Sequence, residues 1–196
     1  MQVESFTTDS GLLIEGPLIC TPRVFGDARG YFLESWNAFL WKETLAKHGQ
    51  EACSFVQDNQ SRSSKGVLRG LHFQLPPHPQ GKLVRCVFGE IFDVAVDLRR
   101  SSSTFGQWGG VFLSETNHRQ LWIPEGFAHG FLTISEYAEV LYKTSDFWRK
   151  ECERSIRWDD QTLGICWPDN CGIPKLSSKD EIAPRLDHLA LSDFFP

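Results

Sequence analysis

The sequence predicts a mostly β protein, built as a closed or two-sheet jelly roll with a few short helices. Three observations predict this fold class. Short apolar and β-branched segments recur along the 196 residues, turn residues separate them at short intervals, and only one stretch has the pattern of a longer helix. No repeat, low-complexity tract or Gly/Ser/Pro-rich linker divides the chain. We therefore expect one domain over residues 1–196.

The strand candidates follow one another closely along the chain. They are Leu12–Glu15, Leu18–Val24, Tyr31–Trp36, Phe55–Asn59, Val67–Phe73, Leu83–Phe88, Ile91–Leu98, Gln107–Leu113, Leu121–Ile123, Gly130–Ile134 and Glu139–Phe147. A two-residue turn at Gly89-Glu90 would join the sixth and seventh candidates into a hairpin. Within Ile91–Leu98, alternation places Phe92, Val94, Val96 and Leu98 on one face and Ile91, Asp93, Ala95 and Asp97 on the other.

One helix is predicted over NAFLWKETLAKH, residues 37–48. Asn37 can cap its N-terminus, and Gly49 can end it. The tail, Lys175–Pro196, mixes polar and apolar residues and contains two prolines. We expect a short helical turn and loops there.

Composition excludes several classes of protein. Charged residues make up only 23% and aromatic residues 13%, so most of the chain is not disordered. A membrane span needs ~18 consecutive apolar residues, and the sequence has no such run. The net charge of −5 argues against a nucleic-acid binder. The N-terminus does not have the basic and apolar regions of a secretory signal.

The cysteines at positions 20, 53, 86, 152, 166 and 171 form no C-x-x-C pair. We interpret them as buried packing thiols of a reducing compartment, which makes the cytoplasm the expected location.

Polar side chains concentrate in FVQDNQSRSSKGVLRGLHFQ, residues 55–74. Arg69 and His72 flank Gly70-Leu71, and strand alternation places residues three apart on opposite faces. A bulge at Gly70 would let both side chains point into one cavity. The alternative is a surface arginine and a histidine that is hydrogen-bonded in the core.

A second motif, P-x-G-x-x-H, lies in WIPEGFAHGF and ends at His129. It resembles the second half of the cupin motif, in which this histidine often binds a metal ion. Metal cupins usually carry H-x-H and a glutamate earlier in the chain. Here the matching stretch, Leu71-His72-Phe73-Gln74, contains one histidine, so we expect no metal.

A third segment, EVLYKTSDFWRKECE, contains Tyr142. Strand parity places Tyr142, Thr144 and Asp146 on one face and Leu141, Lys143, Ser145 and Phe147 on the other. A tyrosine on a cavity face can give or take a proton, and the alternative is a core aromatic residue with a bonded hydroxyl. Dinucleotide-binding, P-loop and G-x-S-x-G motifs do not occur in the sequence.

Together these segments resemble the dTDP-4-dehydrorhamnose 3,5-epimerase family. The resemblance runs in one order through residues 23–37, 55–74, 79–108, 117–131, 139–148, 153–160 and 177–186. It implies a cupin-type jelly roll (double-stranded β-helix), a homodimer, and catalysis without a cofactor or metal. The implied substrate is a dTDP-4-keto-6-deoxy sugar, epimerised at carbons 3 and 5 in dTDP-L-rhamnose biosynthesis.

The resemblance also assigns roles to single residues. His72 matches the general base, Asp180 its carboxylate partner, Tyr142 the acid, and Lys82 the cation that stabilises the enolate. The residues that match binding positions are Arg29 and Glu34, which contact the nucleotide from the partner subunit, the triplet Gln57, Asp58 and Asn59, the phosphate ligand Arg69, and His129, Glu153 and Lys179. Asp93 would hold His129 in position without contacting the substrate itself.

One position departs from the family pattern. Phe147 stands where we expect a tyrosine that stacks on thymine, so stacking is retained and a hydroxyl is lost. Three other functions stay open at this point: a single 5- or 3-epimerase of a related sugar nucleotide, a non-catalytic sugar-nucleotide-binding cupin, and a metal cupin oxygenase.

Overall fold

The computed structural model describes residues 1–169 and 172–196. Its elements in chain order are β1 (Gln2–Thr7), β2 (Leu13–Thr21), β3 (Val24–Asp27), β4 (Gly30–Leu33), α1 (Ala38–Lys47), β5 (Gln57–Ser64), β6 (Leu68–Gln74), β7 (Lys82–Phe88), β8 (Glu90–Asp97), β9 (Trp108–Ser114), β10 (Gln120–Ile123), β11 (Phe127–Thr133), β12 (Tyr137–Thr144), β13 (Glu153–Ser155) and α2 (Ser178–Glu181). Two 3₁₀ turns, Leu186–His188 and Leu191–Asp193, follow in the tail.

Two antiparallel sheets form a jelly roll, which confirms the predicted fold class. The six-stranded sheet has the order β1-β2-β10-β7-β12-β5, and the five-stranded sheet has the order β13-β6-β11-β8-β9. β3 and β4 form a separate hairpin. Non-consecutive strands are neighbours in both sheets, as the double winding of a jelly roll requires.

The predicted hairpin between Leu83–Phe88 and Ile91–Leu98 is wrong. β7 pairs with β10 and β12, whereas β8 pairs with β9 and β11. Gly89 is therefore the point at which the chain crosses from one sheet to the other. Its φ of +73° suits glycine, and a Cβ there would lie 2.0 Å from the carbonyl oxygen of Tyr137. A Gly-Glu turn signal indicates a sharp reversal, but it does not distinguish a hairpin from such a corner.

The two faces of β8 pack against different layers. Ile91 and Ala95 belong to the core between the sheets, and Asp93 and Asp97 on the same face are fully buried. Phe92, Val94, Val96 and Leu98 instead face a second core, which the C-terminal segment covers with residues such as Ile156 and Leu186. The face with the two carboxylates is therefore the interior of the jelly roll.

The helix follows its sequence signals. The side chain of Asn37 accepts hydrogen bonds from the backbone N–H groups of Phe39 and Leu40, and Gly49 follows the helix with a φ of +69°. Trp41 and Leu45 of α1 pack on the outer face of the six-stranded sheet, against Leu83 and Trp122. No helix among the described residues has the length and apolarity needed to cross a membrane.

Several strand boundaries differ from the prediction. Leu12–Glu15 and Leu18–Val24 merge into β2, and the β1–β2 ladder is irregular where β2 passes through Gly16 and Pro17. The first half of the predicted strand Tyr31–Trp36 belongs to β4, which ends at Leu33, and the final predicted strand ends at Thr144. β1 and the three-residue β13 are too short or too polar to have been detected.

The cysteine prediction holds for Cys20, Cys86 and Cys152, which are buried free thiols. Burial raises the pKa of Cys20 and Cys86 to about 12, which makes both poor nucleophiles at neutral pH. Cys53 is half-buried, and Cys166 is exposed, so the expectation of burial is wrong for Cys166. Cys171 lies outside the described residues.

Candidate active site

A cavity of about 590 Å³ opens between the two sheets at one end of the jelly roll. This volume lies within the range typical of small-molecule sites. Nine of the residues singled out from the sequence line it: Gln57, Asn59, Arg69, His72, Lys82, His129, Tyr142, Glu153 and Asp180. They come from six strands and the short helix α2, so the fold brings together residues that are far apart in the chain.

Two glycines place Arg69 and His72 in the same cavity. In the pairing of β6 with β11, His129 lies opposite His72 and Phe131 lies opposite Arg69, so two residues of β6 face one of β11. This is the predicted bulge at Gly70. Gly70 has a φ of +132°, and a Cβ there would lie 2.5 Å from Cα of Gly130. The close approach therefore requires glycine on both strands.

His72 and Asp180 form a hydrogen-bonded pair. Nε2 of His72 lies 2.6 Å from Oδ1 of Asp180, whose side chain is buried. Ser177, the N-cap of α2, accepts a hydrogen bond from the backbone N–H of Asp180 and donates its own hydroxyl to Oδ2 at 2.9 Å. Both carboxylate oxygens are thus engaged, which fixes the orientation of the acid and, through it, the imidazole ring.

The protonation states of this pair follow from burial and pairing. Burial lowers the pKa of His72, although Asp180 opposes that effect. For Asp180, burial favours the neutral acid, but the hydrogen bond and charge of His72, the hydrogen bond of Ser177 and the charge of Lys179 together outweigh it and lower the pKa. Both directions give a neutral imidazole and an ionised carboxylate at neutral pH. Nε2 then carries the proton that Asp180 accepts, and Nδ1 carries the lone pair that a base needs.

Lys82 supplies a buried positive charge next to the histidine. Its Nζ donates a hydrogen bond of 3.1 Å to the backbone carbonyl of His72, and only 8% of the residue is exposed. Burial lowers its pKa to about 8, and the charges of Asp93 and Glu153 limit the fall. The ammonium group is therefore still mostly protonated near pH 7.

Tyr142 lies on β12, on the sheet that faces the strands of His72 and His129. Burial raises the pKa of its phenol, while the charge of Arg69 acts in the opposite direction. The hydroxyl is accordingly protonated at neutral pH and is available as a proton donor.

His129 is held as the sequence suggested. Its Nε2 lies 2.7 Å from Oδ1 of Asp93, and both residues are buried. Glu153, on β13 of the same sheet, forms an ion pair of 2.8 Å with Lys179. Burial would raise the pKa of Glu153, but the bond and charge of Lys179 lower it overall. Lys179 touches the site through Glu153 and is not itself part of the cavity lining.

Four other predicted residues lie outside the cavity of this single chain. Asp58 points to the outer side of β5 and pairs with Lys143 at 2.9 Å, and Glu34 accepts a hydrogen bond from the side chain of Asn37. Arg29 projects from the β3–β4 hairpin with 90% of its side chain exposed and pairs with Asp27 at 2.6 Å. Phe147 is 52% exposed and lies beyond the end of β12.

The cavity also contains residues that were not predicted from the sequence. Trp148, Gln80 and Ser61 line it together with Val67, Leu68, Phe131 and the segment Lys175, Leu176 and Ser177. Ser61 follows Gln57 and Asn59 at a spacing of two, so strand parity could have found it. Trp148 had no such signal, because the strand pattern that would place it ends at Thr144.

The donor set of the cavity does not suit a metal ion. Among residues 1–169 and 172–196, no three side chains of His, Cys, Asp or Glu are arranged to hold one. The two cavity histidines each bond a separate aspartate, and the third carboxylate, Glu153, is engaged by a lysine.

A jelly roll with a His–Asp pair, a buried lysine and a tyrosine around one cavity defines a sugar-epimerase type of cupin. The family described as dTDP-4-dehydrorhamnose 3,5-epimerase matches residues 12–188, and the chain belongs to this family. A dTDP-4-dehydrorhamnose 3,5-epimerase from Salmonella typhimurium is 56% identical over 176 residues, which cover 90% of this chain and 93% of the relative.

Solved structures agree with that assignment. A dTDP-6-deoxy-D-glucose-3,5-epimerase from Legionella pneumophila, in complex with dTDP-4-keto-L-rhamnose, is 45% identical and superposes with a TM-score of 0.89 over 99% of this chain and 98% of its own. A 3'-monoepimerase from Streptomyces bikiniensis, in complex with dTDP-quinovose, is 32% identical with a TM-score of 0.82 over 89% of this chain and 85% of its own.

Proposed function

We propose that the protein epimerises dTDP-4-dehydro-6-deoxy-D-glucose at carbons 3 and 5 to give dTDP-4-dehydro-L-rhamnose, in dTDP-L-rhamnose biosynthesis. The observation that carries this proposal is the His72–Asp180 pair, which faces Tyr142 across a cavity that also holds Lys82. Inversion of a carbon next to a ketone needs a base on one face, an acid on the other, and a cation at the ketone oxygen. These three requirements match the three groups.

The proposed proton transfers follow from the protonation states. Neutral His72 removes the proton from a carbon next to the ketone, and Asp180 stabilises the imidazolium that forms. The electron pair moves to the ketone oxygen, where the ammonium of Lys82 stabilises the enolate. Tyr142 then delivers a proton to the opposite face of the same carbon, which completes one inversion. His72 then gives its proton to solvent and the Tyr142 phenolate takes one from solvent, which restores the base and the acid, and the second carbon is inverted by the same two transfers.

The rest of the cavity suits a sugar nucleotide. Nε of Arg69 donates a hydrogen bond of 3.0 Å to the hydroxyl of Ser63, which orients the side chain. The positive guanidinium group can then bind the diphosphate. His129, Gln57, Asn59 and Glu153 provide further polar contacts. Trp148, rather than Phe147, supplies the aromatic wall, since Trp148 lines the cavity and Phe147 does not. We therefore propose thymine stacking on Trp148.

We also propose that the active unit is a homodimer of one-domain chains. Arg29 lies on a protruding hairpin with exposed aromatic residues, Phe25, Tyr31 and Phe32. Such a hairpin can reach a neighbouring subunit, and Arg29, Glu34 and Asp58 would then serve a site or interface that one chain alone does not complete.

The five described cysteines are free thiols, which fits a cytoplasmic protein.

A single epimerase is the second candidate, because the 3'-monoepimerase from Streptomyces bikiniensis shares the fold. Incubation with the 4-keto sugar nucleotide in heavy water separates the candidates. Deuterium at carbons 3 and 5, with formation of the L-rhamno product, is the expected result. Deuterium at one carbon indicates a single epimerase, and no exchange with intact dTDP binding indicates a binding protein.

A further inference from the structure

Gln74 ends β6, two residues after His72, and is buried with only 3% of its surface exposed. Its side-chain Nε2 donates to the carbonyl oxygens of His78 at 2.7 Å and Phe147 at 3.2 Å, and its Oε1 accepts from the backbone N–H of Arg149 at 2.6 Å. One amide thus binds the backbone immediately before and immediately after Trp148. Gln74 itself does not line the cavity.

Two other contacts fix Trp148 itself. Its backbone N–H donates to Oε1 of Gln57 at 3.2 Å, and its side chain bonds the carboxylate of Glu153. Trp148 belongs to no β-ladder, because it lies beyond the end of β12 at Thr144. Its position therefore depends on side-chain hydrogen bonds. Gln74 makes two of them, and His78 and Gln80 hold the nearby Asp146.

We propose that Gln74 is a positioning residue that holds Trp148 in place as a wall of the nucleoside end of the cavity. The inference rests on the proposed function, from which it takes dTDP as the ligand. A wall that is already in its binding geometry needs no ordering when the ligand arrives, so its pre-organisation increases affinity. His72, Lys82 and Asp180 make no bond to this segment, so the proton transfers at saturating substrate should not depend on Gln74.

The first test is Gln74→Met, which keeps the length of the side chain and removes its hydrogen bonds. Calorimetric titration with dTDP should show affinity weaker by roughly 5- to 20-fold, because the variant loses the two hydrogen bonds that hold the backbone on either side of Trp148. KM for the 4-keto sugar nucleotide should rise by a similar factor, with kcat within about threefold of wild type. Wild-type dTDP affinity in this variant, or a loss confined to kcat, would overturn the proposal.

Gln50→Met is the matched control. Gln50 also joins separate segments, since it donates to the carbonyl of Gly16 at 2.6 Å and accepts from the indole N–H of Trp122 at 2.8 Å, but it lies away from the cavity. It should lower the melting temperature and leave dTDP affinity unchanged. If Gln50→Met weakens dTDP binding as much as Gln74→Met does, the effect is general destabilisation and the proposal is wrong.

Gln74→Glu gives a readout that a merely structural role would not produce. A protonated carboxyl offers one acceptor and one of the two donors that the amide has, whereas the carboxylate only accepts. The dTDP affinity of this variant, expressed relative to that of wild type at the same pH, should therefore recover in part as pH falls. Affinity that stays weak at every pH would count against the proposal. These titrations need no turnover, so they stand apart from the heavy-water test of the proposed function.

Discussion

Asp180 accepts a hydrogen bond of 2.6 Å from Nε2 of His72, although 108 residues separate the two in the chain. The short helix α2 makes this possible, because its cap Ser177 binds the second carboxylate oxygen. The pair is therefore preassembled before any substrate enters. Because Nε2 of His72 is bonded to Asp180, Nδ1 is the nitrogen that can accept a proton from the substrate.

Asp180→Asn should lower kcat by about 10²–10⁴-fold, because the amide cannot stabilise the imidazolium and favours no single tautomer of His72. Steady-state rates with the 4-keto sugar nucleotide measure this. Asp193→Asn is the control, because it also removes a paired carboxylate but lies outside the cavity lining. Asp193, in the C-terminal tail, forms an ion pair of 2.7 Å with Arg154 of β13. Equal losses in the two variants would show that the His72–Asp180 pair has no special role.

Tyr142→Phe should separate proton removal from inversion. His72 is intact in this variant, so exchange of substrate protons with heavy water should continue, while formation of the inverted product falls at one or both carbons. NMR of the product after incubation in heavy water reports both quantities. Tyr137→Phe, on the exposed end of the same strand, should leave both unchanged. If Tyr142→Phe retains the wild-type rate and stereochemistry, another group is the acid.

The pH profile of kcat/KM should be bell-shaped. His72 acts as a base and must be neutral, so activity falls as pH drops through its pKa, which burial places below the usual 6.5. Lys82 must be charged, so activity falls again as pH rises through its pKa of about 8. In Lys82→Arg the alkaline limb should move out of the accessible range, since arginine stays protonated. An alkaline limb at the same pH in that variant would assign it to another group.

Activity should survive prolonged treatment with a chelator, because the His–Asp pairs leave the cavity without three free metal donors. Elemental analysis of the purified protein should find no stoichiometric metal. Loss of activity on chelation, with recovery by one specific ion, would show that this expectation is wrong.

The fold class could be predicted because alternation, turn spacing and the Asn37 cap are local signals. The crossing at Gly89 could not, since a glycine with positive φ allows both a hairpin and a corner between sheets. Which sheet each strand joins is decided by non-local packing: the face of β8 that carries Asp93 is buried between the sheets, and the apolar face that includes Phe92 is covered by the C-terminal segment.

In the site, too, local patterns predicted some features, and non-local contacts decided the others. A bulge at Gly70 is one of two alternatives that the sequence leaves open for Arg69 and His72, and the pairing of β6 with β11 contains it. Parity then failed beyond Thr144, where the strand ends and backbone direction is set by Gln74 and Gln57. Parity therefore could not place Phe147 or Trp148 relative to the cavity, because it applies only where a ladder continues.

The position of Arg29 tests whether two chains share a site. The hairpin of β3 and β4 carries it away from its own cavity, where its only charged contact among the described residues is Asp27. If Arg29 serves the partner's cavity, His72→Ala and Arg29→Ala proteins should each be nearly inactive, and mixing them should restore activity. In a hybrid dimer, one site combines an intact His72 with an intact Arg29 from the other chain.

Random exchange makes half of the dimers hybrid, each with one working site of two, so recovery should approach about a quarter of wild-type activity. Subunit exchange is verified separately with differently tagged chains. Mixing His72→Ala with Asp180→Ala is the matched control: both residues belong to the same cavity, so no hybrid site is complete and no activity should return. Recovery in the control, or none in the Arg29 mixture after verified exchange, would contradict a site shared across the dimer.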